Sequence, residues 1–561
     1  MNLHRSIALF AFFAILPGGA CVAQTTQPQE PPNSAARWVK MFDRDQSGFT
    51  LFPLGQGARI ILLSTTDGSD FNDGMLQPVR SLKKALSLVR NGFPDRILFK
   101  RGDVFAAANL DANVEVEGRS SFEPLIIGAY GDTRLPRPVL RCHISLGAHV
   151  LPRFLVLQSL DLFADTRDPS AKNFNAKKMS DRQTFGIGLV CPGRFLWIED
   201  CRCRDFGMGL NLQGARDDLF DTLVIRRCQI LDSWAFGMSS GIYLQDFQNV
   251  LIEENLFDHN GWTEHLPGAG KTMFNHNMYL QHGAMGEDRH IIVRNNVIAR
   301  AASHGCQLRP GGLLENNLFL KNPLAAFVSY SPSVARNNVV LDADAISPDM
   351  PRGQGLEFLN CYSVLCEGNI VAHKPDKTNG QEGLAFKPEG ASGVPAPTRG
   401  EFRRNVVYDW AGPAFFVVSP PEGLIVRDND FEQKLDPVVF LKDWKNQYVF
   451  QNNHYTSALA KPFRIADRFM DLHAWMTQTG ETPDSSGIQF VDPSRDIASY
   501  AKSIRLADAT LQGFLAAARD QRRGHWDNRL TAAAVNDYIR AGFARKPEIR
   551  NPNDESNPKS Q

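Results

Sequence analysis

The sequence predicts an all-β chain, a right-handed parallel β-helix with an N-terminal cap helix and a helical C-terminal tail. Three observations lead there. An Asn-centred phrase recurs through the middle of the chain, a second phrase of alternating apolar and polar residues returns between its copies, and both patterns stop at the two ends. The first phrase reads Ile252-Glu253-Glu254-Asn255-Leu256-Phe257, then Val293-Arg294-Asn295-Asn296-Val297-Ile298, Leu314-Glu315-Asn316-Asn317-Leu318-Phe319 and Ala335-Arg336-Asn337-Asn338-Val339-Val340. Weaker copies follow at Asn369, Asn405, Asn429 and Asn453, and Cys201 and Cys228 hold the same place upstream. Steps of 27, 27, 41, 21, 21, 31, 36, 24 and 24 residues describe one coil with loops inserted at fixed corners. Asn tolerates left-handed backbone and bonds neighbouring peptides at tight turns, so stacked Asn side chains can join coil to coil. Leucine-rich repeats share the period but need Leu-x-x-Leu-x-Leu, and a propeller needs longer, more even repeats. Handedness follows from the general rule for parallel crossovers.

In chain order, residues 1–23 read as a secretory signal: basic His4-Arg5, apolar Ile7 to Leu16, and small residues ending at Ala23. The apolar run is too short to span a membrane. Export to the periplasm or beyond is the expected location, and Gly18-Gly19-Ala20-Cys21 is only a faint lipoprotein signal. Residues 24–55 form a linker and N-terminal segment. Residues 56–150 hold the cap helix, where Leu82, Ala85, Leu86 and Val89 share one face, and the first coils, with strands at Arg96–Lys100 and Leu125–Tyr130. Residues 151–455 are the β-helix proper, with insertions at Gly261–Asn275, Asp342–Arg352 and Lys374–Arg399. Residues 456–561 form the tail, with helices over Ile497–Ala518 and Leu530–Phe543 that lie back on the stack.

Lys plus Arg and Asp plus Glu number 61 each, so nothing in the average charge calls for nucleic acid. Nine cysteines, eight after cleavage, show neither a metal spacing nor a disulfide scaffold. Cys361 and Cys366 are close enough for a local bridge, and buried free thiols are the alternative.

The second phrase carries the functional reading. It runs Gly209-Leu210-Asn211-Leu212-Gln213, Gly241-Ile242-Tyr243-Leu244-Gln245, Asn277-Met278-Tyr279-Leu280-Gln281, Gly305-Cys306-Gln307-Leu308-Arg309, Gly355-Leu356-Glu357-Phe358-Leu359 and Gly383-Leu384-Ala385-Phe386-Lys387. Strand side chains alternate between faces, so with the aliphatic residues inside, Asn211, Gln213, Tyr243, Gln245, Tyr279, Gln281, Gln307, Arg309, Glu357 and Lys387 face out. Stacked about 4.8 Å apart, these amides, phenols and charges form a stripe suited to a linear sugar chain. His259 and Trp262 join it as expected binding residues. Four histidines, His259, His276, His282 and His304, fall around the same strands, and His282 and His304 are candidate acids or bases.

On these residues the chain resembles the pectate-lyase-like superfamily of right-handed β-helix enzymes over about residues 60–455. Leu308-Arg309-Pro310-Gly311 is loosely similar to the Leu-x-x-Arg-x-Gly strand of the alginate lyase and chondroitinase B family. That resemblance implies a catalytic arginine at Arg309, a lysine base, and a Ca²⁺ near the substrate carboxylate whose ligands cannot be placed here. The paired Asp residues with Gly-His-Gly of galacturonases and the Asp-Pro-His-Asp of alginate epimerases are missing. The expected activity is a polysaccharide lyase cutting a uronic-acid polymer, with Arg309, His282, His304 and Tyr279 as neutraliser, acid and base. Hydrolysis through Glu357 with Asp246, Asp258 or Glu264 is the alternative, followed by C5-epimerisation or binding alone. The expected partner is a linear acidic polysaccharide, met by a monomer.

Overall fold

The computed structural model describes residues 33–546 except 111–112, 148, 282–289, 331–332, 375–380, 389–397 and 484–488. The proposed signal peptide, His282 and most of the 374–399 insertion lie outside the described residues.

Each coil contributes one strand to each of three parallel sheets, of 14, 14 and 13 strands. The strap sheet begins at Ile60–Leu63 and Arg96–Lys100, the tail sheet at Val104–Phe105, and the stripe sheet at Asn113–Val114 and Ile144–Leu146. The interior is a column of branched and aromatic side chains, including Leu210, Ile242, Met278, Cys306, Leu308, Leu356 and Phe386. Its lid at the N-terminal end is the expected helix, Leu82–Leu88, capped by Ser81 and burying Leu82 and Ala85.

The asparagine corner joins the strap and tail sheets. Asn255 donates through Nδ2 to Oδ1 of Asn296 at 2.9 Å, Asn296 to Asn317 at 2.9 Å, Asn317 to Asn338 at 3.0 Å, and the chain of bonds runs on to Asn453. Cys228 extends it upstream through its backbone N–H to Asn255 Oδ1. The left-handed residue is the one before each rung: Arg227, Glu254, Asn295, Asn316, Asn337, Gly368, Arg404, Asp428 and Asn452. The rung itself points inward and is buried. The turn and the ladder are therefore separate jobs held by adjacent residues. The last rung, Asn453, ends on the buried Glu481 carboxylate, which also accepts from Tyr455 and Trp475.

Two faces of the prism are covered. Helix Ser34–Met41, within the stretch expected to be linker, lays Ala35, Ala36 and Val39 on Val156, Trp197, Val224, Leu251 and Ile292 of the strap sheet. Its cap residue Asn33 donates to the carbonyls of Val250 and His290. The tail helices, resolved as Ile497–Ser503, Leu511–Arg519 and Ala532–Gly542, pack Phe514, Leu515, Val535 and Ile539 on the tail sheet. The stack continues past residue 455 through strands Phe463–Ile465 and Arg468–Met470 before helix Leu472–Thr479. No described helix crosses the outer face of the stripe sheet, where strands Met208–Gln213, Ser240–Gln245 and His276–Gln281 alternate buried and half-buried residues and the next three coils are buried almost throughout. Cys361 and Cys366 form no bridge with each other; both are buried in the core.

Candidate functional site

The register of the stripe sheet brings the expected residues into columns. Asn211 pairs with Tyr243, Tyr243 with Tyr279, and Tyr279 with Gln307, while Gln213, Gln245 and Gln281 form the neighbouring column. The aliphatic partners expected inside are all in the core. One coil was not legible as part of this series. Leu324–Ser329, with Ala325, Ala326, Phe327 and Val328, places Phe327 between Gln307 and Glu357. Its run is apolar on both faces, so it carries no alternation to recognise. Glu357 therefore stands two rungs beyond Gln307, roughly 10 Å away. Gln307 and Glu357, expected to face water, lie on the outer side but are each 6% exposed. Rings of Tyr279 and Phe327 flank Gln307, and a lysine covers Glu357.

The centre of the stripe is aromatic and cationic. The Tyr243 and Tyr279 rings meet edge to face at 5.4 Å, and the Arg309 guanidinium lies 5.2 Å over Tyr279. Arg309 donates through Nη1 to Gln281 at 3.3 Å, its Nε is buried without a hydrogen-bond partner, and it makes no ion pair with any described residue. Tyr243 donates to Gln245, and burial, reinforced by Tyr279, raises its pKa. Next to the phenols sit two imidazoles that meet edge to face. His276 contacts Tyr279 at 5.2 Å and His304 at 4.7 Å, with Nδ1 of the two rings 3.1 Å apart and Ser303 Oγ 3.0 Å from His304 Nδ1.

His304 does not behave as the solvent-facing acid or base expected of it. Both rings are buried, and two imidazolium ions at that separation would be desolvated and mutually repelling. Burial first, then the charges of His276, Arg352 and Arg309, hold His304 well below the usual range, while burial and Arg309 bring His276 down to about 3. Folded His276 thus refuses a proton that the unfolded chain accepts near pH 6.5. Its contribution to stability is intact above that pH and falls by about 1.4 kcal/mol per pH unit as the pH drops towards 3. His276→Gln is expected to flatten the fall of the urea midpoint between pH 6.5 and 4; an unchanged slope would assign acid sensitivity to other groups.

Two coils further on, carboxylates gather. Lys387 Nζ lies 2.9 Å from Glu357 Oε2, and Gln354 Nε2 donates to Glu357 Oε2 at 2.9 Å and to Glu382 Oε2 at 3.0 Å. Lys387 is thus engaged with Glu357, and its column neighbour is Leu359 rather than a residue beside Arg309. The carboxylate that shares the Gln354 amide with Glu357 is Glu382. Glu382 sits just before its strand, outside the alternating pattern, and left no signal in the sequence. Among the described residues no group of three or more His, Cys, Asp or Glu side chains is placed to hold a metal.

His259 and Trp262 belong elsewhere. His259 is a left-handed corner residue after the tail-sheet strand Leu256–Asp258, and Trp262 begins the loop leading to the stripe strand His276–Gln281. Their closeness in sequence to that strand hides a turn of the coil. His259 Nδ1 is 3.1 Å from Asp232, its Nε2 3.0 Å from Glu264, and its ring lies 4.4 Å from Trp262.

Comparison with known proteins places this geometry. The family described as "Right handed beta helix region" matches residues 168–340 and 221–386. The chain is a right-handed parallel β-helix. No curated protein matches it. Solved structures similar to this β-helix include the GH136 lacto-N-biosidase from Eubacterium ramulus, at 12% identity over 73% of this chain and 68% of that one, TM-score 0.34. The catalytic unit of a GH87 α-1,3-glucanase from Streptomyces thermodiastaticus aligns at 12% identity over 75% and 70%, TM-score 0.37. A mannuronic acid specific polysaccharide family 6 lyase from human gut microbiota aligns at 10% over 70% and 85%, TM-score 0.32.

Proposed function

We propose that this β-helix binds a linear uronic-acid polysaccharide along the stripe and cleaves it by β-elimination at Tyr279 and Arg309. One observation carries the reading. Arg309 makes no ion pair with any described residue, and it lies over the Tyr279 ring and donates to the Gln281 amide. Such a charge on a sugar-binding surface calls for an anion on the sugar, and a uronate supplies it.

In β-elimination the proton beside the carboxylate leaves, its electron pair forms the C4–C5 double bond, and the C4–O bond breaks. Negative charge grows on the carboxylate, where Arg309 would neutralise it. Tyr279, whose ring lies under the guanidinium, is the proposed base. Tyr243, one rung away, is the proposed proton donor to the leaving oxygen. The buried imidazoles are held towards their uncharged form, so the positive charge nearest Tyr279 is the Arg309 guanidinium. A chain exported through residues 1–23 would meet such polymers in the periplasm or outside the cell.

A second reading rests on Glu357 and Glu382. Sharing one amide nitrogen keeps their nearest oxygens within about 6 Å, near the spacing of about 5 to 5.5 Å used by retaining glycosidases. Incubation with alginate and polygalacturonate decides between the two. Absorbance growing at about 235 nm marks the unsaturated product of elimination. New reducing ends without it, abolished by Glu382→Gln, would move the chemistry to the carboxylate pair, and intact polymer would leave a binding protein.

A further inference from the structure

Away from the stripe, a cavity of about 590 Å³ opens where helix Ala532–Gly542 meets the corner between the strap and tail sheets. That volume lies within the range of small-ligand sites. Its floor is built by three successive coils. Arg336, Glu367 and Arg403 are register partners in the strap sheet, and each is followed by its left-handed corner residue, Asn337, Gly368 and Arg404. The middle corner has no side chain to fill the space. Arg540 of the helix forms part of the wall.

Cations outnumber carboxylates around this space, with Arg336, Arg403, Arg404 and Arg540 set against Glu315 and Glu367. Arg336 is tied to Glu315 at 2.5 Å, while Glu367 is shared, with Arg403 on one oxygen at 3.0 Å and Arg404 on the other. Glu401, outside the wall, holds Arg403 a second time at 3.0 Å. Arg540 makes no ion pair with a described residue; it donates to two backbone carbonyls, Gly368 at 2.8 Å and Asn337. One turn earlier in the helix, Asn536 bonds the Asn316 carbonyl at 2.9 Å with a neutral amide. Docking the helix on these corners therefore needs no charge, and the charge of Arg540 is surplus to it. Burial, opposed by Asp537, brings its pKa down to about 10.

Donors are left over as well as charge. A guanidinium carries five N–H groups. Neither Nη of Arg336, and neither Nε nor Nη1 of Arg404, bonds a described residue, and Arg403 Nε is buried without a hydrogen-bond partner. We propose that this cavity binds a multivalent oxyanion, a phosphate or sulfate group, held by Arg540 and Arg404. Guanidinium nitrogens form short, charge-assisted bonds to such oxygens and can hold them in pairs. The space around the anion leaves room for the sugar of a phosphate or sulfate ester. The cavity lies on a different corner from the stripe, so this assignment is independent of the chemistry there.

The test uses the full chain, titrated calorimetrically with inorganic phosphate, sulfate and glucose 6-phosphate in chloride buffer of constant ionic strength. At least one of them is expected to bind saturably at one site per chain, and whether the ester or the free ion binds tighter tells which source the site takes. Arg540→Gln keeps donors for the two carbonyls, as Asn536 does for its own, and should weaken binding about tenfold or more. Arg404→Gln, at an exposed side chain, should do the same and serves should Arg540→Gln fold poorly. Arg309 is another guanidinium without an ion pair, so the titration is repeated in Arg309→Ala, where the affinity should persist. No saturable binding, wild-type affinity in folded Arg540→Gln or Arg404→Gln, or loss of binding in Arg309→Ala would each overturn the assignment.

Discussion

Arg309→Ala is expected to lower kcat/KM on a polyuronate by about 100- to 1000-fold, the usual cost of removing one donor from a developing oxyanion. The loss should fall on kcat as well as KM, since the guanidinium bonds the carboxylate more strongly as charge accumulates there. Arg309→Lys keeps the charge but loses the planar fork that lies over Tyr279, so it should recover only part of the rate. Folding should be little affected, because the side chain is half-buried and its one side-chain bond goes to Gln281. A variant that still cleaves at the parental rate would remove Arg309 from the chemistry. Should Glu382→Gln then prove inactive, the carboxylate pair would take its place.

The largest effect on stability is expected at Arg226→Met, on the opposite side of the prism. Arg226 is fully buried in the strap sheet, 2.5 Å from Glu199, 3.1 Å from Glu253 and 3.0 Å from Glu254. Burial alone would lower its pKa, but the three carboxylates outweigh it and raise it. Methionine fills similar space yet strands Glu199 as a buried charge, while Glu253 keeps Arg294, a loss of about 3 to 5 kcal/mol. Arg226 also bonds the carbonyl of Gly48 and the Thr50 hydroxyl, so the N-terminal segment should loosen with it. A lower urea midpoint together with faster proteolysis near residues 43–50 is the expected result. An unchanged midpoint would mean that the carboxylates share protons or reach water when the arginine is gone.

What the sequence made legible, and what it hid, follows from how a coil is built. Asn255 to Asn453 could be read because a buried amide that bonds above and below tolerates few substitutes, so the same letter returns. The left-handed residue before it could not, since Arg227, Glu254, Asn295 and Asp428 all fill that role, and the neighbouring coil's carbonyl matters more than the side chain. The Tyr243–Tyr279 stack and Arg309 were visible through strict alternation. His276 was legible as one of the histidines around these strands, but nothing in the alternation showed that its ring packs on Tyr279. His259 and Trp262 were drawn into the stripe by nearness along the chain, when a corner between two sheets separates them from it. Sequence distance is a poor guide wherever the chain changes sheet.

The far end of the stack has a further consequence. Asn453 hands its hydrogen bond to a carboxylate instead of another amide, and the last stripe strand folds back as an antiparallel pair, Phe463 opposite Met470, with Trp475 buried beside it. A solenoid whose final coil offered bare edge groups would template the next molecule and grow into fibres. Here the last amide of the ladder is satisfied within the chain, and the stripe sheet ends on a reversed strand that does not match the parallel register a second molecule would add.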